Sequence, residues 1–318
     1  MRFVSLAVGI ASVLSVFVAQ AQTWPAKPIR MISPYPPGGG IDGSARIISQ
    51  ALSEQLGQQV IVENRSGASG RIGTEVAAKA PADGYTFVLG SVAPNAIIPS
   101  AAPKLPYDAI KDFAPISLVA STDYTLVVHP SLPVRSTREL IAFAKAKPGE
   151  LTFASSGNLG APHLSGELLN YLGKVQTIHV AYKGTGPAAA AVLSGETVMA
   201  FGSGPAVAPH ITTKRLRGIA TTGPKRSNPE LPTMSEALPG YSVTQWYGVL
   251  APAGTPQTVI DRVYKEIAKA VHNPKIAQQF TRMGADAVST TPEQFAALIK
   301  SDMDKWGKVI RAAKIEVE

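Results

Sequence analysis

The chain has 318 residues, 45% hydrophobic and 16% charged, with a formal charge of +8 and no cysteine. That length suggests roughly two domains and enough chain for a sizeable core, and the low charge excludes a disordered polyelectrolyte. The missing cysteine excludes disulfides, thiolate metal sites, a cysteine nucleophile and a lipid-modified cysteine anchor.

Residues 1–21 read as a cleavable secretory leader. Arg2 is the positive start, Phe3 to Val18 is apolar and uncharged, and Ala19-Gln20-Ala21 is a small-x-small cleavage pattern. The apolar stretch is short of the ~20 residues that span a bilayer, so the mature chain is expected to start at Gln22. No later segment reaches ~18 apolar residues without a charge or a Pro/Gly break. The basic residues are scattered (Lys104, Lys111, Lys145, Lys214, Arg217) with no basic run interleaved with aromatics. Nucleic acid is therefore not an expected partner.

Along the mature chain, buried-strand patterns alternate with helical spacing. Ile29 to Ser33, Gln59 to Glu63 and Thr86 to Gly90 read as strands, with helices at Asp42 to Leu56 and Ile72 to Ala80. After a Pro-rich loop, Phe113 to Ala120 and Thr125 to Val128 read as two strands, then Thr137 to Lys145 as a helix. Leu151 to Ala154, Val175 to Val180, Val198 to Phe201 and Arg217 to Thr221 are further strands, alternating with helices at Ala161 to Leu172 and Pro187 to Ser194. A strand at Ser242 to Ala251 precedes helices at Pro256 to His272, Pro274 to Met283 and Pro292 to Ala312. This alternation predicts an α/β fold with parallel sheets and binding loops at the carboxyl ends of strands.

Two strand-to-helix loops carry the chemistry. In Ser33-Pro34-Tyr35-Pro36-Pro37-Gly38-Gly39-Gly40-Ile41-Asp42 the spacing Gly38-x-Gly40-x-x-Gly43 matches a dinucleotide fingerprint, and Glu63 follows 20 residues later. The prolines, however, push the glycines several residues beyond the strand, where a dinucleotide turn needs them at once. The same glycines let backbone N–H groups and a helix N-terminus approach a carboxylate. Phe153-Ala154-Ser155-Ser156-Gly157-Asn158-Leu159-Gly160 repeats the arrangement with serine hydroxyls as extra donors. For Asp42, capping the first helix and touching a ligand are both open readings.

Trp24-Pro25-x-Lys27-Pro28-Ile29-Arg30, followed by Pro34-Tyr35-Pro36-Pro37-Gly38-Gly39-Gly40-x-Asp42-x-x-Ala45-Arg46, resembles the opening of the Bug (TctC-type) solute-binding proteins. The resemblance continues through Val62-Glu63-Asn64-Arg65, Asp83-Gly84-Tyr85-Thr86, Phe153-Ala154-Ser155-Ser156-Gly157, Tyr182-Lys183-Gly184 and Ala251-Pro252-Ala253-Gly254-Thr255-Pro256. It implies a two-lobed periplasmic-binding-protein fold, type II-like, each lobe a central sheet flanked by helices. Residues 22–124 with 249–318 are expected to form one lobe and residues 125–248 the other, with the ligand cleft between them.

The resemblance further implies a monomeric periplasmic receptor that closes on a small carboxylate. The ligand would be a dicarboxylate, a tricarboxylate or an aromatic acid of benzoate, nicotinate or terephthalate type. Its partners would be the membrane subunits of a tripartite tricarboxylate-type transporter, or a sensor kinase. Carried over by residue, the site comprises Tyr35, Gly39, Gly40, Asp42 and Ser91 from one lobe. Ser155, Ser156, Gly157, His163, Gly184 and Thr185 come from the other. Two positions depart from the family pattern, Ala191 and Gly202 standing where many relatives have Asp. Their loss disfavours an amine ligand and favours a less polar acid, such as an aromatic carboxylate.

Catalytic readings find less support. None of the five histidines stand at i, i+3 or i, i+4, so no helix offers a metal pair, and neither metal nor cofactor is expected. His129 and His272 read as structural, and Trp246 with Tyr247 as core or hinge packing. An exported α/β hydrolase acting on an acidic substrate is the alternative, with Ser155 or Ser156 beside His163. It lacks both the Gly-x-Ser-x-Gly elbow and an acid to orient the base.

Overall fold

The computed structural model describes residues 24–102 and 104–315, so the expected leader lies outside the described residues. The chain runs β1 (Ile29–Ser33), α1 (Gly40–Leu56), β2 (Val60–Asn64), α2 (Arg71–Ala78), β3 (Thr86–Ser91), α3 (Ile98–Ala101) and β4 (Phe113–Val128). It continues through α4 (Thr137–Ala146), β5 (Thr152–Ser155), α5 (Ala161–Gly173), β6 (Ile178–Ala181), α6 (Thr185–Ser194), β7 (Met199–Ser203), α7 (Gly204–Thr212) and β8 (Arg217–Thr221). Then come β9 (Thr244–Pro252), α8 (Gln257–Val271), α9 (Pro274–Arg282), β10 (Asp286–Ala287) and α10 (Pro292–Ala313).

The strands form two sheets joined by β4, in the order β2-β1-β3-β9-β4 and then β4-β7-β5-β6. Phe113 to Asp123 of β4 pair with β9, while Tyr124 to Val128 pair with β7 and β8. One strand thus serves both sheets. The break read between Ala120 and Thr125 is absent, because its polar residues are bonded within the fold. Thr122 Oγ1 donates to the Gly284 carbonyl at 2.6 Å, and Asp123 accepts from Ser227 Oγ at 2.8 Å.

The expectation of purely parallel sheets needs correction. β1 is parallel to β2 and β3, and β5 is parallel to β6 and β7, but β9 runs antiparallel to β3 and β4. The reason is directional: β4 carries the chain from the first sheet to the second, and β9 brings it back. Thr222 holds the crossing together. Its hydroxyl accepts from Tyr124 N at 2.9 Å and donates to the Val243 carbonyl at 2.8 Å.

Alternation on the central strands sorts three cores, two of which flank the first sheet. Met31, Phe87, Leu89, Val249 and Ala251 face Ala45, Ile48 and Leu52 of α1 and Val263 and Ile267 of α8. Those α1 positions recur at helical spacing, and each buried aliphatic side chain contributes about 1.5–3 kcal/mol. The helix stops at Gly57, whose left-handed φ of 69° lets its N–H reach the Ser53 carbonyl. On the opposite face Trp246, Leu250, Phe295 and Trp306 join Leu126, Phe153 and Phe201 in one core that passes into the second sheet. Trp246 Nε1 donates to Asp302 at 2.8 Å, tying β9 to α10.

A Cβ built on Gly202 would overlap the Val207 side chain, and Ala191 is buried in α6. The Val207 side chain of α7 occupies the space any side chain at 202 would need first. Gly202→Ala is therefore expected to lower stability by about 1–3 kcal/mol in urea denaturation. Adding Val207→Ala should recover part of that loss, a coupling of roughly 1 kcal/mol; additive losses would contradict the packing account.

Candidate ligand-binding site

The carboxyl ends of the parallel strands feed helix N-termini. β1 leads to α1, β5 to α5 and β6 to α6, and the residues capping those helices are Gly39, Gly160 and Gly184. None of the three has a side-chain cap. The first amides of a helix have no partner within it and sit at its positive end. Glycine caps leave those donors to an outside acceptor.

A strained turn brings the loops of the two sheets together. Gly67, Ala68, Ser69 and Gly70 have successive φ values of 139°, 47°, 54° and 90°. The two non-glycine residues cost about 1–2 kcal/mol each in that conformation. Ties on both sides hold it: the Tyr35 hydroxyl donates to the Ser69 carbonyl at 2.7 Å, and Ser69 Oγ donates to the Asn158 carbonyl at 3.0 Å. The β1–α1 loop thereby meets the loop after β5. On the same side, the Thr185 and Ser203 hydroxyls lie 3.0 Å apart at the starts of α6 and α7.

Asp42 organises its loop from within. One carboxylate oxygen accepts from Gly38 N at 3.0 Å and Arg46 Nε at 2.9 Å, and the other accepts from Asn64 Nδ2 at 2.8 Å. Burial pushes its pKa up, but these three hydrogen bonds and the Arg46 charge outweigh burial and hold it below the ordinary value. Asn64 also donates to the Tyr35 carbonyl at 2.9 Å. Glu63, the acid of the dinucleotide reading, is taken by Arg30 and Arg65. Gly40 and Gly43 serve close approach, since a Cβ on Gly40 would lie 2.7 Å from the Tyr247 hydroxyl and one on Gly43 would meet Met283.

The second loop is held by two histidines. Ser155 Oγ lies 2.6 Å from His179 Nε2 and accepts from Gly157 N at 3.1 Å. Leu159 N donates to His163 Nδ1 at 3.1 Å, so the ring proton sits on Nε2, 3.7 Å from Glu167. The two imidazoles stack with centroids 3.8 Å apart. Burial, then the neighbouring His163, lower the His179 pKa to about 3, so it stays neutral at physiological pH. The hydroxyl–imidazole pair has the composition of a nucleophile and base, but Ser155 has no exposed surface. Among the described residues no carboxylate hydrogen-bonds His179, and an unoriented base of such low basicity suits no hydrolase.

The structure thus gathers Tyr35, Ser91 and the Gly38–Gly40 loop around the end of the first sheet. Burial raises the Tyr35 pKa to about 12, a rise moderated by the Ser91 hydroxyl beside it. Ser155, Ser156, Gly157 and His163 gather beyond the second sheet, with Gly184 and Thr185 nearby. Ser69, His179, Ser203 and Tyr247 were not anticipated in this neighbourhood. Sheet register would have found His179, which pairs with Phe153 two residues from Ser155.

These features have counterparts in known proteins. A family model described as "Tripartite tricarboxylate transporter family receptor" (TctC) matches residues 44–315. Rpa4515 of R. palustris, solved with adipate, is 33% identical with a TM-score of 0.84, covering 92% of this chain and 98% of its own. The periplasmic binding protein BugD is 30% identical with a TM-score of 0.82, over 93% of this chain and 100% of its own. MatC of Rhodopseudomonas palustris, solved with malate, is 27% identical with a TM-score of 0.81, over 90% and 99% of the two chains. The chain belongs to the TctC family of tripartite tricarboxylate transporter receptors, which are solute-binding proteins and not enzymes.

Proposed function

We propose that this chain is an exported, periplasmic receptor that closes on a small organic carboxylate. It would deliver the ligand to the membrane subunits of a tripartite transporter, or report it to a sensor kinase. The observation that carries this reading is the set of three glycine-capped helix N-termini, two of whose loops meet through the Tyr35–Ser69 and Ser69–Asn158 bonds. Aimed backbone amides bind an anion without any charged side chain. The adipate and malate held by two structural neighbours are carboxylates of the expected class.

In this reading the lobes divide where β4 leaves the first sheet, after Asp123, and where β9 rejoins it at Thr244. All of β9 pairs in the first sheet, which supports a boundary slightly before the one expected at residue 249. Closure turns about the two crossings pinned by Thr222. Gly39, Gly40, Ser156, Gly157 and Thr185 touch the ligand, directly or through water. Asp42, Ser155 and His163 hold the loops, their polar atoms being occupied within the protein.

A thermal-shift panel of adipate, malate, citrate, benzoate, terephthalate and leucine tests the ligand class. A carboxylate at ~100 times its Kd stabilises by about 2.7 kcal/mol, a rise of about 5–10 °C in Tm. Leucine outperforming every other acid would contradict the reading. Asp42→Asn should destabilise the protein at pH 7 by about 1–3 kcal/mol and weaken carboxylate binding roughly tenfold. Because the folded pKa of Asp42 is lowered, its stabilisation is present above the unfolded value near 3.8 and is lost as pH falls through the folded value. The stability gap between wild type and variant should therefore shrink below pH 4 in urea titrations; a gap independent of pH would remove the carboxylate's assigned role.

A further inference from the structure

Six non-glycine residues among the described ones have a left-handed φ. Lys174, Lys214 and Lys314 stand just after the ends of α5, α7 and α10, where such a residue ordinarily closes a helix. The other three, Ala68, Ser69 and Leu159, stand on the two sides of one contact, the hydrogen bond from Ser69 Oγ to the Asn158 carbonyl at 3.0 Å. Residues in such conformations persist only where their surroundings fix them, and they gather at clamps and switches.

Each side of the contact is fixed from within its own half of the fold. On the first sheet's side the Tyr35 hydroxyl donates to the Ser69 carbonyl at 2.7 Å, Gly70 N to the Gly67 carbonyl at 3.0 Å, and Thr74 Oγ1 to the Gly70 carbonyl at 2.9 Å. On the second sheet's side Leu159 N donates to His163 at 3.1 Å and Gly160 N to the Gly157 carbonyl at 3.2 Å. Gly157 keeps the approach clear, since a Cβ there would already lie 3.8 Å from Ser69 Oγ. Outside the crossing at β4 and β9, no other hydrogen bond or ion pair among the described residues joins elements of the first sheet to those of the second. Gly204 at the start of α7 and Gly284 before β10 also approach, a Cβ on Gly204 falling 3.6 Å from Gly284 Cα, but that contact is backbone against backbone.

Resting on the receptor reading above, we propose that Ser69 is a latch: its bond to Asn158 holds the closed lobes together and sets how long the ligand is retained, without touching the ligand. The turn is ordered by ties within the first lobe, so the hydroxyl meets its acceptor with little further loss of freedom. Release must break the bond, whereas encounter with the open protein does not, so the latch acts on the off-rate. A hydroxyl bonded to a main-chain carbonyl takes no account of which ligand is enclosed.

Stopped-flow kinetics with adipate and with malate test this on wild type, Ser69→Ala and Ser69→Gly. Both variants lack the hydroxyl and should release each bound acid about three- to tenfold faster, by the same factor for both acids and with association no slower. Glycine also relieves the left-handed strain, so Ser69→Gly should match or exceed the wild-type Tm and still release ligand fast, which a merely structural role would not produce. The absence of cysteine permits a readout that needs no ligand: Ile61→Cys and Ile178→Cys, half-exposed on the edge strands β2 and β6, carry a pair of spin labels. In the ligand-free protein, loss of the Ser69 hydroxyl should raise the population of a second, open distance by about three- to tenfold. Release within twofold of wild type in both variants, unequal factors for the two acids, or an unmoved distance distribution would overturn the latch. Wild type binding neither acid would count against the receptor reading, and the label distances alone would then decide whether Ser69 holds the lobes.

Discussion

A single strand, β4, belongs to both sheets, and the geometry of the site follows from that. Because its 16 residues pass without a break from one sheet to the other, the two sheets are held at a fixed crossing. β9 must return beside it in the opposite sense. The crossing is kept in register by one buried side chain, Thr222, whose hydroxyl bridges Tyr124 and Val243. Strand carboxyl ends from both sheets then open towards the same region. Each ends in a glycine-rich turn and a helix N-terminus.

The chemistry of the region depends on backbone more than on side chains. Asp42 is buried and carries charge, but its oxygens are spent on Gly38, Arg46 and Asn64. Ser155 and His163 likewise face inward, to His179 and Leu159. In the receptor reading proposed above, the groups left for a ligand are amides at glycine-capped helices and hydroxyls on neutral side chains. Such a site has little use for the net positive charge of the chain. It also explains why the composition reveals so little about the ligand: amides are present in every sequence, and only their aim is specific.

Local periodicity carried most of the fold. Helices α1, α8 and α10 and strands β1, β3 and β8 stand within a few residues of their expected positions, because propensity, caps and burial pattern agree there. The failures came where tertiary contacts overrule local pattern. Ser121, Thr122 and Asp123 resemble a turn, yet bonds to Gly284 and Ser227 from distant parts of the chain keep them in β4. Helix α7 was not anticipated: Pro205 fits its first turn, but Pro209 sits inside it, where proline usually breaks a helix. The antiparallel placement of β9 depends on the return crossing, which no local window contains. Motif reading placed both glycine-rich loops between a strand and a helix, where the structure has them. It missed His179, Ser69 and Tyr247, which reach the loops only through sheet register or across the fold. It also could not distinguish a residue that touches a ligand from one that holds a loop, since Asp42 and His163 would look the same in either role.

The central claim is that this protein binds a carboxylate reversibly and leaves it unaltered. Isothermal titration of the mature chain with adipate and with malate at pH 7, followed by recovery and mass analysis of the ligand, tests it most directly. The account predicts saturable one-to-one binding of at least one of these acids, with the ligand recovered intact. Consumption of the ligand, or no heat from either acid under conditions where the protein is folded, would contradict it.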